Sequence, residues 1–197
     1  MTQDASFTSP HPRWLSFLLL GLLAAALMPL SARGEAISSL YTPLDLAQCK
    51  DATPEEIKEY GSVSICPGLD GIDVRVAEGD LRIFVSYGPK AETQTAAYET
   101  IPQFNSIGET LEWRLAKDGG RLKPFATILR FNWTVDGKTG STLVVTKLGK
   151  DDSCHVAYVK ASGNPTANEE ARAIADRDAR RFQCKKDKAT HYGDAGN

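Results

Sequence analysis

Apolar and polar residues alternate along most of the chain between residues 62 and 160. A period of two is typical of strands that bury one face and leave the other facing solvent. The alternation predicts six to seven strands, which lie within residues 62–66, 72–77, 81–87, 111–115, 125–135, 142–148 and 154–160.

The most apolar part of this pattern is residues 124–148, where two apolar runs flank Asp136-Gly137. An Asp-Gly pair between alternating runs is a strong signal for a β-hairpin. The odd positions of the first run form a plainly apolar face. The even positions include Arg130 and Asn132, and the pattern leaves open whether this second face is covered by a helix or is open to a partner.

Helical spacing replaces the period of two near the C-terminus, in ANEEARAIADRDARRFQC, residues 167–184. Thr166 and Glu169 have the spacing of a capping box at the helix start. The pattern predicts one amphipathic helix of about 17 residues that packs on the sheet. Asp178 falls inside its apolar stripe, so we expect this carboxylate to pair with a strand arginine. Residues 191–197 are predicted to be a disordered tail.

Residues 89–109 follow neither period and contain two prolines and many small polar residues. They predict a long surface connection between two strands. Connections of this length are often functional or mobile, so the segment is a candidate for binding.

The N-terminus predicts export. Residues 14–30 form an apolar run, and small residues follow up to Ala36. This order is typical of a secretory signal peptide, residues 1–36, with cleavage after Ala36 or, as second choice, after Ala32. An uncleaved membrane anchor is the alternative, but the run is shorter than the span of about 20 residues that a bilayer needs. The predicted location is periplasmic or secreted, with no stable membrane insertion after cleavage.

Four cysteines follow the predicted cleavage site, and an even count in an oxidising compartment predicts two disulfides. The last strand rises about 23 Å and the helix returns about 25 Å, which brings Cys184 back to Cys154. Cys154–Cys184 with Cys49–Cys66 is therefore the predicted pairing among three. The fold class is α+β: a mainly antiparallel β-sandwich or roll, closed by one C-terminal helix, in a single domain over residues 37–190.

The formal net charge is −2, from 23 Lys and Arg against 25 Asp and Glu. A nucleic-acid-binding protein needs a clear basic excess, so this balance argues against nucleic acid as a partner. It argues equally against strong attraction to an anionic membrane surface.

The sequence offers little catalytic chemistry. Cys154-His155 resembles a nucleophile with its base, but neighbours on a strand point to opposite faces, and Cys154 is assigned to a disulfide. His155 is therefore expected to be an ordinary exposed histidine. Asp70 and Asp73 flank a glycine and are expected to be turn residues, because two acids are too few for a Ca²⁺ loop. We predict no catalytic residue, no cofactor and no metal site.

Arginine and aromatic residues recur on the predicted strands, and six of them form a candidate partner-binding face. These six are Arg75, Arg82, Tyr87, Trp113, Arg114 and Arg130. Arginine beside tyrosine or tryptophan is the composition of interface hot spots. The alternative is a solvated strand face with cross-strand charge pairs.

Several segments together resemble a group of small exported four-cysteine proteins of alphaproteobacteria. The resemblance is carried by SYG (86–88), TLEWRL (110–115), PFATILRF (124–131), LVVTKL (143–148), CHVAYV (154–159) and the alanine-rich helix ending in FQC. It covers nearly the whole chain after the predicted signal peptide. It implies an exported location and a disulfide framework, and it implies no activity.

These observations favour a non-enzymatic periplasmic or secreted binding module that acts on another protein of the envelope or the medium. A small hydrolase that uses carboxylates is the first alternative, because perturbed acids are visible only in three dimensions. A purely structural component of the envelope is the second. The sequence predicts no oligomeric state.

Overall fold

The computed structural model describes residues 1–2 and 36–193. The predicted signal peptide falls almost wholly on residues 3–35, which lie outside the described residues, as do residues 194–197. The described residues from 36 onward belong to one unit by their contacts.

Two sheets hold the ten strands of the described residues. The strands are β1 (Ser38–Pro43), β2 (Lys50–Asp51), β3 (Ser62–Cys66), β4 (Val74–Gly79), β5 (Arg82–Tyr87), β6 (Asn105–Asp118), β7 (Arg121–Val135), β8 (Lys138–Lys147), β9 (Cys154–Lys160) and β10 (Thr190–Tyr192). One sheet has six strands in the order β1-β6-β7-β8-β9-β10, and the other has four in the order β2-β3-β4-β5. All pairings are antiparallel except that of β9 with β10.

The predicted α+β fold is confirmed, and the seven predicted strands are all present. The three additional strands escaped prediction because β2 and β10 have only two and three residues, while β1 has no regular apolar face. The predicted disorder from residue 191 is wrong for His191 and Tyr192, which pair with β9.

Both predicted disulfides are confirmed. Cys49–Cys66 joins the residue before β2 to the last residue of β3, and Cys154–Cys184 joins the start of β9 to the chain that follows the C-terminal helix. In the chain-entropy model each such bond stabilises the fold by about 3 kcal/mol.

Within residues 36–193, two α-helices accompany the sheets, α1 (Pro54–Tyr60) and α2 (Ala167–Ile174). A π-helical segment, Ala175–Ala179, continues α2, so the regular α-helix is shorter than predicted. The predicted capping box is not formed, because Asn164 Oδ1 accepts the Thr166 N–H at 3.0 Å instead. Among the described residues, no helix is long and apolar enough to cross a bilayer.

The six-stranded sheet is covered on both faces, which makes three layers. The odd positions of β7, such as Leu129 and Phe131, pack in one core with residues of the four-stranded sheet, including Val85. Even positions such as Ile128 pack in a second core with Ala171 and other small residues of α2. Small side chains let the helix approach the sheet closely, and the predicted packing of the helix on the sheet is confirmed.

This layering answers the question about the even face of the central hairpin. The helix covers its first half, where Ala126 and Ile128 are buried. Further along β7, Arg130 is partly exposed and Asn132 is exposed. The hairpin therefore has one half between two layers and one half that extends past the helix.

The long connection between β5 and β6 covers the outer edge of β5, which is the last strand of the four-stranded sheet. The Gln94 side chain accepts the Tyr87 N–H at 3.2 Å and donates to the Tyr87 carbonyl at 2.6 Å. Asn105 Oδ1 accepts the Ile83 N–H, and the Thr100 hydroxyl donates to the Ile83 carbonyl. These side chains occupy the positions of a neighbouring strand, and they protect the edge from pairing with another chain.

The same connection is tied to the other sheet. Thr95 donates its N–H and its hydroxyl to the Asp152 carboxylate, at 2.7 and 2.8 Å. The Ala96 N–H donates to the Ser153 carbonyl at 2.8 Å. The segment thus joins the edge of the four-stranded sheet to the chain just before β9.

Candidate functional site

The structure does not bring the six residues of the predicted partner-binding face together on one surface. Tyr87 and Trp113 lie in the core between the sheets, with their rings edge to face at 6.0 Å. Arg75 and Arg114 are also buried. The alternation along the strands was read correctly, but four of the six side chains are covered. The facing sheet covers Tyr87 and Trp113, the C-terminal helical segment covers Arg114, and α1 covers Arg75.

Arg114 belongs to an ion-pair network between the edge of the six-stranded sheet and α2. It donates two hydrogen bonds to the Asp176 carboxylate, from Nε at 2.9 Å and from Nη2 at 2.6 Å. Arg114 also contacts Ser39. Glu112 accepts a hydrogen bond from Arg172 Nε at 2.7 Å, and this carboxylate raises the pKa of Arg172. The role of this network is structural, because its charged groups form ion pairs and hydrogen bonds with one another. We call it the seam.

The prediction that Asp178 pairs with a strand arginine is wrong, because Asp176 makes that contact. Asp178 pairs with Arg177 and Arg181 on its own segment, and Asp176 reaches Arg114. The reason is the π-helical segment, whose hydrogen bonds run from residue i to i+5 and so rotate later side chains away from the α-helical stripe.

Arg82 and Arg130 remain partly exposed. The Arg82 Nε donates to the Pro102 carbonyl at 2.9 Å, and its guanidinium lies 5.1 Å from the centre of the Phe104 ring. Arg130 Nη1 donates to Ser141 Oγ at 2.9 Å. Phe104 and Ser141, the residues that these two arginines contact, lie at the same end of the domain, between the two sheets.

An open groove of about 970 Å³ lies at this end. It is bordered by the β4–β5 hairpin, the start of β6, the end of β7 and the start of β8. Its lining residues are Leu46, Glu78, Leu81, Ile83, Phe104, Asn105, Ser106, Ile107, Asn132, Trp133, Thr134, Thr139, Gly140, Ser141 and Ser162. We call this the inter-sheet groove.

The lining of the inter-sheet groove combines apolar side chains with neutral hydroxyl and amide groups. Leu81 is 59% exposed and Phe104 is 50% exposed, whereas side chains of this kind are usually buried. Among the described lining residues, Glu78 alone carries a formal charge. Such a surface can bury apolar groups of a ligand and also satisfy uncharged polar groups.

Trp133 is held firmly in the groove wall. A Cβ atom at Gly140 would lie 2.2 Å from the Trp133 ring, so the ring rests directly on the glycine backbone. The indole N–H donates to Thr142 Oγ1 at 3.2 Å. The ring is therefore positioned before any ligand arrives, which reduces the entropy lost on binding.

Sequence reasoning missed Trp133 as a site residue because it falls on the apolar face of β7. A usable signal was present. A two-residue Asp136-Gly137 turn places Trp133 directly opposite Gly140, as observed. An aromatic residue opposite a glycine covers that glycine, and this leaves the ring near the sheet surface.

A second cluster of titratable groups surrounds the start of β9, and the prediction of an exposed His155 is wrong. His155 is buried, with Nδ1 2.8 Å from the Tyr158 hydroxyl, and burial lowers its pKa to about 3. Burial likewise raises the pKa of Glu99, which accepts the His155 backbone N–H at 2.6 Å. Partial burial acts to raise the pKa of Asp152, but hydrogen bonds from Thr95 and the nearby Lys185 lower it overall.

Glu99 and Asp152 are thus two neighbouring carboxyl groups with opposite pKa shifts, which is the pattern of an acid and a base. Their hydrogen bonds, however, hold the β5–β6 connection against β9. Neither residue lines the inter-sheet groove. The described residues contain no group of three or more His, Cys, Asp or Glu placed to hold a metal ion, and Asp70 lies in a turn with φ of +53°.

Comparison of the chain with protein-family models, with curated proteins and with solved structures finds no match in any of the three.

Proposed function

We propose that this protein is a non-enzymatic binding module, exported to the periplasm or the medium, that holds an apolar segment of another exported protein. The inter-sheet groove is the binding site. The observation that carries the proposal is the exposure of Leu81 and Phe104 beside the fixed ring of Trp133. A soluble protein rarely leaves such side chains clustered at its surface without a partner.

The chemistry of the groove favours a protein segment over a charged ligand. Aliphatic and aromatic side chains supply the apolar contacts that dominate protein interfaces. Asn132 and Thr139 offer hydrogen bonds to the backbone of an extended segment. One carboxylate, Glu78, gives no basis for binding an anion.

The exported location is supported by the two disulfides, which are compatible with an oxidising compartment. Membership in the four-cysteine group of alphaproteobacterial proteins is proposed on the same ground and on the segments that carry the resemblance.

The experiment is chemical crosslinking of the tagged protein in its own compartment, followed by purification and direct binding measurements. We expect one exported protein to be recovered with wild type and lost with Phe104→Ser. Its purified form should bind Phe104→Ser at least about tenfold more weakly than wild type. Leu122→Ser is the matched control, because Leu122 is 46% exposed but does not line the groove.

Equal recovery with wild type and Phe104→Ser would contradict the proposal and would favour a structural component. The hydrolase alternative rests on the opposite pKa shifts of Glu99 and Asp152. It predicts an activity on envelope polymers that Glu99→Gln abolishes while Phe104→Ser leaves it intact.

A further inference from the structure

A second cavity lies on the outer face of the four-stranded sheet, and among the described residues Glu78 is the one lining residue that it shares with the groove. Its volume is about 330 Å³, at the lower end of the range of about 300 to 1,000 Å³ that ligand sites occupy. Arg75, Ala77 and Phe84 come from β4 and β5 beneath it. Tyr60 at the end of α1 and Tyr98 of the β5–β6 connection also line it. We call it the tyrosine cleft.

Three aromatic rings line the tyrosine cleft, those of Tyr60, Phe84 and Tyr98. The hydroxyl groups of the two tyrosines are 3.4 Å apart, which is long for a hydrogen bond between hydroxyls. Tyr98 is 62% exposed, so its ring can turn aside with little loss of packing. The two tyrosines therefore form a weak closure over the cleft.

Two buried polar groups on this face of the sheet find no hydrogen-bond partner in the described part of the chain. Arg75 Nε donates to Glu56 at 2.9 Å, but Arg75 Nη2 finds no hydrogen-bond partner among the described residues. Ser86 lies directly opposite Arg75 in the strand register, and its buried hydroxyl is also without a partner there. Buried donors without partners are rare and costly. The guanidinium lies 5.0 Å from the centre of the Tyr60 ring, so a ligand reaches it when the two tyrosines separate.

The charges around the cleft narrow the class of ligand. Glu59 and Glu78 line it, and with Arg75 and its partner Glu56 they make one positive and three negative formal charges. This excess of negative charge disfavours an anion. A simple cation does not satisfy the unpaired Arg75 donor. The group required is neutral, accepts from a guanidinium, donates to carboxylates and has an apolar face for the rings.

We propose that the tyrosine cleft binds one ring of a neutral saccharide. The C–H face of the sugar packs against Tyr98 and Phe84. Its hydroxyl oxygens accept from Arg75 Nη2, and its hydroxyl hydrogens are donated to Glu59. Glu78 borders both this cleft and the inter-sheet groove, but the proposed sugar contacts do not use it, so the proposal stands whether or not the groove binds a protein.

Ligand-observed saturation-transfer NMR on the full chain tests this, with methyl β-glucopyranoside and methyl N-acetyl-β-glucosaminide as probes. We expect transfer from at least one probe at about 10 mM, where a site of millimolar affinity is largely filled. Tyr98→Ala should weaken binding about tenfold, whereas Tyr98→Phe keeps the ring and most of the affinity. Tyr41→Ala is the control, because Tyr41 is 53% exposed on β1, outside the cleft.

Glucuronic acid serves as the anionic comparator, and the neutral probes should bind more tightly than it does. No transfer from any neutral probe, or equal binding by wild type and Tyr98→Ala, would mean that buried water alone satisfies Arg75 and Ser86, and would overturn the proposal. Tighter binding of glucuronic acid would overturn its charge argument. Phe104→Ser should bind the sugar as wild type does, which separates this site from the groove.

Discussion

Trp113 and Trp133 lie on neighbouring strands of one sheet, yet their surroundings differ. Trp113 pairs in register with Thr127, where the sheet lies between two layers, and its side chain is fully buried. Trp133 pairs with Asn105, at the end where the sheets separate, and it is partly exposed in the wall of the inter-sheet groove. The difference teaches that the covering layers, more than the strand pattern, decide which aromatic residue serves stability and which is free for binding.

The largest expected effect is on the buried tryptophan. Trp113→Ala should lower the free energy of unfolding by about 3–5 kcal/mol, because it opens a cavity in the core. Trp133→Ala should cost about 1–2 kcal/mol, because its ring is already partly hydrated. Urea unfolding followed by circular dichroism measures both. Equal losses of unfolding free energy would show that Trp133 is packed as tightly as Trp113 and would contradict the comparison.

The next prediction tests the ion pair between Arg114 of β6 and Asp176, which holds the C-terminal helical segment on the six-stranded sheet. Asp176→Asn should lower the free energy of unfolding by about 2 kcal/mol, because the buried Arg114 guanidinium loses the nearer of its two carboxylate partners and keeps only Glu112 at 3.7 Å. Asp178→Asn is the matched control and should change it by less than about 0.5 kcal/mol, since Arg177 and Arg181 are exposed. A larger loss for Asp178→Asn would contradict the assignment of Asp176 to the seam.

A smaller effect is the pH dependence of the free energy of unfolding that the buried His155 causes. Because the pKa of His155 falls from its ordinary value near 6.5 to about 3, the unfolded chain binds the proton more readily than the folded one. Stability is therefore fully present above pH 6.5 and falls as the pH is lowered towards 3. Glu99 acts oppositely, because its raised pKa favours the folded state at low pH. We expect a net loss of about 1–2 kcal/mol between pH 7 and pH 5.

His155→Gln should flatten this dependence, as measured by urea unfolding at several pH values. His191→Gln is the control, because His191 stacks on Tyr158 but is exposed. An unchanged slope in His155→Gln would show that other groups cause the loss of stability in acid.

Sequence reasoning predicted most of the framework, because alternation and spacing report local geometry directly. The seven main strands and both disulfides follow from period-two runs and from the lengths of a strand and a helix. The burial of His155 escaped prediction because both faces of β9 are covered, so alternation along this strand does not separate buried from exposed residues. A bulge, where Val145 pairs with Ala157 but Thr146 pairs with His155, also shifts the face on which His155 lies.

The candidate site was harder to predict, because it depends on which layer covers which face. Arg114 and Arg75 have the composition of a binding surface, and only the positions of α2 and α1 show that both side chains are buried. The groove depends on where the two sheets diverge, and no pattern within one strand encodes that. The β5–β6 connection was predicted to be functional or mobile because it is long and follows neither period. Its role at the edge of β5 was missed, because that role depends on side chains such as Gln94, which take the place of a neighbouring strand.

The fluorescence of Trp133 tests the binding role of the open end most directly. In a Trp14→Phe, Trp113→Phe variant it is the sole tryptophan of the three in the chain. On titration with the protein recovered by crosslinking, its emission should shift to shorter wavelength and become protected from acrylamide, because the groove is desolvated. Unchanged emission at saturating partner would show that the groove is not the binding site.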